Sequence, residues 1–244
     1  MDAYIHVMTN STDAQVVRFA SYNIRKARGL DQRRDPGRIV DVINGLDADV
    51  IALQEADRRL GDRPAALPHR LVAEHTDFEV LPVARSEVSL GWHGNAMLVR
   101  KGLAVSDVVP VELPGLEPRG AVRFTARLER PVTVVGTHLG LVRRHRRQQL
   151  GSIAAQLTGA EDAVILGDFN EWSPTKGLEP LGDGFNVLSP GRSFHAARPM
   201  AALDRIAHSH DLAIADAGVE QGALARRASD HLPVWADIRL NRAA

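Results

Sequence analysis

The sequence contains no cysteine, which excludes disulfides and thiolate–metal sites and leaves carboxylate, amide and imidazole as metal donors. Such donors favour hard cations: magnesium, manganese or calcium. Lysine is scarce, with Lys26, Lys101 and Lys176 the only three, so nearly all positive charge is arginine. GC-rich coding accounts for that bias without function, although arginine is also well suited to gripping phosphate. An excess of either charge is lacking too: 30 basic side chains meet 30 acidic ones. That is not the overall signature of a protein living on nucleic acid, though a local patch remains compatible with it. Aromatic residues make up 5%, which limits stacking platforms for unpaired bases. No apolar run approaches the ~20 residues of a membrane span, and "MDAYIHVMTNSTDAQ" lacks the basic start and apolar core of a signal peptide. A cytoplasmic protein is expected, with residues 1–15 as a flexible leader and 16–244 as one domain. With no heptad or apolar stripe, a monomer is the default.

A chain of 244 residues can bury a full core without a covalent staple. "VVRFASYN" (Val16 to Asn23) alternates like a strand, and "DPGRIVDVINGL" (Asp35 to Leu46) reads as a helix with Asp35 as N-cap and Pro36 in the first turn. "DVIALQE" (Asp49 to Glu55) is an apolar run of buried-strand length that ends in Gln54 and Glu55. After a loop and a short helix around Arg70 to His75 come Phe78–Pro82, Asn95–Arg100, Ala104–Leu113, Gly120–Leu128 and Pro131–Leu139. Their even spacing predicts a β-meander. Arg144 to Leu157 carries Leu150, Ile153, Ala154 and Leu157 on one helical face. "AVILGDFN" (Ala163 to Asn170) is a strand with a polar tip. "LDRIAHS" (Leu203 to Ser209) and the strand entered through "SDHLPVWADIRL" complete the pattern. Helices and many antiparallel-looking strands predict an α+β layered sandwich.

Ionisable or amide groups sit where apolar strands end: Asn23, Glu55, His138, Asp168 with Asn170, and Asp230 with His231. A carboxylate at one strand tip ordinarily caps a loop; five such tips in one chain need another reason. If they converge, Glu55, Asp168 and Asp230 repel one another, and a divalent cation relieves the conflict. His138 and His231 then suit a phosphate, as donors to its oxygens or as proton acceptors from water.

"SYN", "ALQEAD", "GTHLGL", "LGDFNEW", "LDRI" and "SDHLPV" occur in the order found in the endonuclease/exonuclease/phosphatase superfamily, which the chain resembles from about Val16 to Leu240. The resemblance implies a four-layer α/β/β/α sandwich of two mostly antiparallel sheets, and metal-dependent attack of water on a phosphoester, with Mg2+ or Mn2+ as cofactor. Carried over, Glu55 resembles the principal metal carboxylate, with Asn23 and Asp230 as direct or water-mediated ligands. Asp168 resembles the group that orients or deprotonates water, and Asn170 one that holds a phosphate oxygen. His231 corresponds to the histidine facing the phosphate, Asp204 to its carboxylate partner, and His138 to a second phosphate donor. Asn95 in "GNAMLVR" matches a recurring position near substrate.

Arg119 in "EPRGAVRF" lies in a region where relatives meet substrate. "RRHRRQQ" puts Arg143, Arg144, Arg146 and Arg147 at a helix start, where cations oppose the helix dipole and a nearby anion would relieve them. A substrate phosphate or lipid headgroup is one such anion; a structural role for Arg146 and Gln149 is the other reading. Two departures from compact relatives stand out: Arg25 replaces a common histidine, and Ala207 and His208 replace larger apolar residues. The expected substrate is a small or phospholipid-derived phosphodiester, with DNA or RNA cleavage at the same site as the alternative.

Overall fold

In the structure, a computed structural model, residues 14–59 and 61–240 are described; most of the expected leader lies outside them. Strand β1 (Val16–Asn23) leads through a short 3-10 turn to helix α1 (Pro36–Gly45), which returns the chain as β2 (Val50–Gln54), parallel to β1. The helix begins where Pro36 fixes φ and the Asp35 carboxylate accepts the Arg38 backbone N–H at 3.0 Å. Ile39, Val40, Val42 and Ile43 form its buried face. Helix α2 (His69–His75), β3 (Phe78–Val80) and β4 (Ala96–Arg100) follow, then β5 (Val105–Glu112), β6 (Gly120–Arg127) and β7 (Pro131–His138). A second crossover, α3 (Arg143–Gln156), leads to β8 (Ala163–Asp168), parallel to β7. The remaining elements are β9 (Phe185–Leu188), β10 (Asp204–Ser209), β11 (Leu212–Val219), α4 (Ala225–Ala228) and β12 (Val234–Leu240).

The strands form two six-stranded sheets, β11-β12-β1-β2-β4-β3 and β5-β6-β7-β8-β10-β9. Each has one parallel pair at its centre, β1–β2 and β7–β8, and every other pairing is antiparallel. Three apolar cores separate four layers. One lies between the sheets, around Phe19, Met97, Phe124 and Leu166. A second packs α1, α2 and α4 on the outer face of the first sheet, and a third packs Leu150, Ile153 and Leu157 of α3 on the second. Burying a side chain such as Phe124 contributes roughly 1.5–3 kcal/mol. The sheets approach closely at Gly136, where a Cβ would stand 2.1 Å from the Met97 sulfur. This is the α/β/β/α sandwich the sequence led us to expect.

The five-strand meander is corrected. Only β5, β6 and β7 form one; β3 and β4 belong to the other sheet, because Ala96–Val99 pair with Val50–Leu53. Strands β9 and β11 went unread. β9 has four residues, and β11 is interrupted by a register shift between Ile214 and Asp216 that breaks its alternation.

The crossovers matter for the site. Parallel pairing requires a long connection and sends both strands in one direction. Asn23 therefore ends opposite Gln54 and His138 opposite Asp168, while antiparallel β10 sets Asp204 opposite Asp168. Strand pairing aligns the tips within each sheet, and the packing of one sheet on the other brings both sets to one edge, where Asn23 meets Asp168.

Candidate active site

Asp168 is the hub of that edge, with 1% of its surface exposed. Its position depends on Gly167, whose φ of +154° and close approach to Thr137 leave no room for a side chain: a Cβ would stand 1.9 Å from the Thr137 carbonyl oxygen. Oδ1 accepts the backbone N–H of Asn170 at 2.9 Å, and Oδ2 accepts Asn23 Nδ2 at 3.0 Å. Around the same Oδ2 stand His138 Nε2 at 3.5 Å and His231 Nε2 at 3.7 Å. Asn170 holds the loop by donating its side-chain amide to the Leu139 carbonyl at 2.9 Å.

The far side of His231 is equally fixed. Its Nδ1 lies 2.8 Å from Asp204 Oδ2, which also accepts the Ser193 hydroxyl at 2.5 Å. Phe194 packs on the ring at 4.9 Å between centroids. The Ser229 hydroxyl donates to the Asn23 carbonyl at 2.7 Å and accepts the His231 backbone N–H at 3.3 Å, tying the "SDH" segment to β1. Asp204, His231 and Asp168 thus form one buried line.

Charge in this line is set by burial and neighbours. Burial disfavours the His231 imidazolium, but Asp204, Asp168 and the Asp204 hydrogen bond outweigh it and push its pKa up to about 9. Burial raises Asp168 to about 6, against the pull of His231 and with Asp204 adding to the rise. His138 moves the other way, held well below the usual histidine range by burial and by Arg119, His231, Lys26 and Arg59. At neutral pH the site holds one imidazolium, one neutral imidazole and a carboxylate able to accept a proton.

Glu55 and Asp230 border the same region. Glu55 follows β2 with a left-handed φ of +54°, and its backbone is gripped by the Lys26 N–H to its carbonyl at 3.1 Å and by Ala56 N–H to Gly94 at 2.9 Å. Both carboxylates have drawn a cation from the turn after β1: Lys26 Nζ contacts Glu55 Oε2, and Arg25 Nε lies 3.1 Å from Asp230 Oδ2. Arg59 adds a weaker contact to Glu55 at 3.8 Å. Asn23 Oδ1 accepts the Arg25 backbone N–H at 3.1 Å. A cleft of about 330 Å3 is lined by Glu55, His138, Lys26, Arg59, Glu117 and Arg119, among others. Arg119 is steered by Glu117 at 2.9 Å.

Two donor sets face a possible metal. Asp168, Asp204 and His231 each offer an atom within 4.8 Å of the others, but His231 is hydrogen-bonded to Asp204 and faces Asp168 at 3.7 Å, and the two carboxylates favour its charged form, which makes it a poor ligand. Asn23, Glu55 and Asp230 supply only oxygen donors, the chemistry of a hard divalent ion. That each carboxylate already draws a side-chain cation shows the local demand for positive charge. The residues fit such an ion.

Asn95 and the arginines of α3 also make contacts within the fold. Asn95 donates its side-chain N–H groups to the carbonyls of Trp92 and Gly120 at 3.2 and 2.9 Å, tying the start of β4 to β6 next to His93 and Gly94 of the cleft wall. The anion facing the arginines of α3 is the chain's own Glu171, bound by Arg143 at 2.7 and 3.0 Å and by Arg146 at 2.7 Å. Gln149 bridges the Gly140 N–H and the Pro114 carbonyl, so the structural reading of Arg146 and Gln149 holds. Ser193, Lys26 and Arg59 were missed. Arg58 and Arg59 stand three and four residues past Glu55, a spacing that would have placed them near it; nothing in the sequence singles out Ser193.

The strand tips of a two-sheet sandwich thus gather His, Asp, Asn and Glu side chains at one edge. The chain belongs to the Endonuclease/Exonuclease/phosphatase family, whose model matches residues 20–231. Members of that family are phosphoester hydrolases and are generally divalent-metal dependent. Among solved structures, the family protein from Beutenbergia cavernae is 23% identical with a TM-score of 0.72, covering 93% of this chain and 72% of its own. Truncated Caenorhabditis elegans TDP2 is 19% identical with a TM-score of 0.68, covering 92% of this chain and 98% of its own. A mannosyl-6-phosphatase from Bacteroides thetaiotaomicron is 16% identical with a TM-score of 0.71, covering 91% and 99%. No curated protein matches the sequence. No helix among the described residues is long and apolar enough to cross a membrane.

Proposed function

We infer that the protein is a divalent-metal-dependent phosphodiesterase, acting on a small or lipid-derived phosphodiester by in-line attack of water. The observation that carries the reading is the buried line Asp204–His231–Asp168, with His138 at the same carboxylate oxygen. A magnesium or manganese ion held by Glu55, Asp230 and Asn23 would supply Lewis-acid stabilisation of the phosphoryl oxygens. Asp168 accepts the proton of the attacking water, with a pKa near 6 that suits a base working at neutral pH. His231, kept protonated by Asp204, donates to a phosphoryl oxygen, and neutral His138 offers a second donor. Asn23 aims Asp168 through its 3.0 Å hydrogen bond. Asn170 fixes the loop bearing it, and Arg119, in the cleft wall beside His138, contacts the substrate's anionic part.

Cleavage of DNA by the same machinery is the second reading; a related fold, zebrafish TDP2, has been solved with a single-strand DNA product. The test is hydrolysis of bis-p-nitrophenyl phosphate, p-nitrophenyl phosphate, a phospholipid panel and plasmid DNA, with added magnesium or manganese and with His231→Ala as control. Metal-dependent diester cleavage that vanishes in the variant, with plasmid intact, supports the first reading. Efficient plasmid nicking at low enzyme replaces it with the second. A folded, metal-loaded protein that cleaves none of these counts against both.

A further inference from the structure

Next to Glu55 lies a second basin of about 560 Å3 lined by Lys26, Arg34, Arg58, Arg59 and Pro64, four cations and no carboxylate. It shares Lys26 and Arg59 with the cleft that contains His138, and with a smaller groove between Glu55 and Asp230. The chain's charges balance at 30 against 30, and some arginines elsewhere are held by acids: Arg18 by Asp237, Arg38 by Asp31 and Asp35, Arg143 and Arg146 by Glu171. Here Lys26 and Arg59 share the single carboxylate of Glu55. Arg34 and Arg58 have no carboxylate partner among the described residues. Gathering like charge without a counter-charge is unfavourable, and a bound oxyanion relieves it. Guanidinium forks match phosphate oxygens in pairs.

The basin is built by two loops at the C-terminal ends of β1 and β2. Arg34 is placed by the bridge between Arg28 and Arg34, and Arg58 by its backbone N–H on the Pro64 carbonyl at 2.9 Å. Its volume falls within the range of small-molecule sites. We propose that this basin is a second anion subsite, which binds a further phosphate group of the substrate while the scissile phosphate lies at Asp168 and His231. The preferred substrate is then a compact molecule with at least two phosphates. This rests on the phosphodiesterase reading for the position of the scissile group, but the subsite itself is readable by binding alone.

The test is calorimetric titration of the full chain, without metal, using fructose 1,6-bisphosphate and fructose 6-phosphate. Phosphatidylcholine vesicles with and without phosphatidylglycerol, and a single-stranded DNA 12-mer, form the other arms. The bisphosphate is expected to bind at least about tenfold more tightly than the monophosphate, and Arg34→Ala with Arg58→Ala to erase that preference. A soluble substrate gives preference for the bisphosphate alone; a lipid source gives added binding to the anionic vesicles, lost in the same double variant. Equal affinity for mono- and bisphosphate, or a preference that survives the double variant, overturns the subsite. DNA binding that depends on both arginines without any bisphosphate preference overturns the small-substrate class. If the bisphosphate binds as expected but no phosphoester is cleaved, the functional reading fails and the subsite stands; cleavage without bisphosphate preference gives the reverse.

Discussion

Replacing Glu171 with glutamine removes one negative charge from beneath the start of α3 while keeping the shape of the side chain. The carboxylate accepts hydrogen bonds from Arg143, Arg146 and the Ser173 backbone N–H, and its own backbone carbonyl accepts Arg205 at 2.9 Å. Arg146 is 5% exposed, so the variant leaves a buried guanidinium without its counter-charge. Breaking such a pair on one side costs about 3–5 kcal/mol. The acid behaviour gives an independent figure. Burial opposes the charge of Glu171, yet Arg143, Arg146 and Ser173 pull its pKa from 4.5 to about 2, which corresponds to roughly 3 kcal/mol. In a domain of this size that lowers Tm by about 6–12 °C. Because the folded pKa is depressed, the contribution is complete above the unfolded value of 4.5 and disappears as pH falls toward 2. Urea unfolding of the wild type and Glu171→Gln across pH 3 to 8 reads this directly. A stability gap of about 3 kcal/mol above pH 5 that narrows below pH 4.5 is expected. A gap under about 1 kcal/mol, or one independent of pH, refutes the reasoning.

Other consequences follow from the site. With Asp168 as base and His231 as protonated donor, the rate should climb as pH rises through about 6 and fall as it passes about 9. A flat profile between pH 5 and 10 contradicts that pairing of roles. Asp204→Asn withdraws the first of the carboxylates that hold His231 charged, so the alkaline limb should move to lower pH and kcat should drop. Lys26→Gln removes the ammonium paired with Glu55 and is expected to tighten manganese binding severalfold by calorimetry; unchanged affinity would place the ion elsewhere. Gly167→Ala forces a Cβ against the Thr137 carbonyl at 1.9 Å and is expected to lower both Tm and activity. A variant as stable and active as the wild type would mean that β7 and β8 separate freely.

Local pattern made the elements legible. β1 runs from Val16 to Asn23, as its alternation indicates, and Asp35 caps α1 as its position before Pro36 suggests. What local pattern lacks is pairing partner. Ala96–Arg100 reads as a strand, but only the tertiary fold sends it to β2 rather than into a meander with β5. The strand tips were visible as polar residues closing apolar runs, and five of them in one chain exceed what loop capping ordinarily requires. Their spacing was not, since it depends on register across β7, β8 and β10. Charge partners separated by many residues were hidden for the same reason. Arg143 and Arg146 look unpaired in sequence until β8 and its loop bring Glu171 beneath them, 28 and 25 residues away respectively. Asn95 likewise holds carbonyls that its sequence context does not reveal, those of Trp92 and Gly120, through its amide nitrogen.

The central claim is that Asp168 prepares water for attack on a phosphodiester. Its most direct test is manganese-supported hydrolysis of bis-p-nitrophenyl phosphate by Asp168→Asn, with circular dichroism and thermal melting confirming the fold. Asparagine keeps the shape and the contact with the Asn170 N–H but cannot accept the proton, so kcat should fall by about 10²- to 10⁴-fold. A folded variant that retains activity within about threefold of the wild type would contradict the assignment.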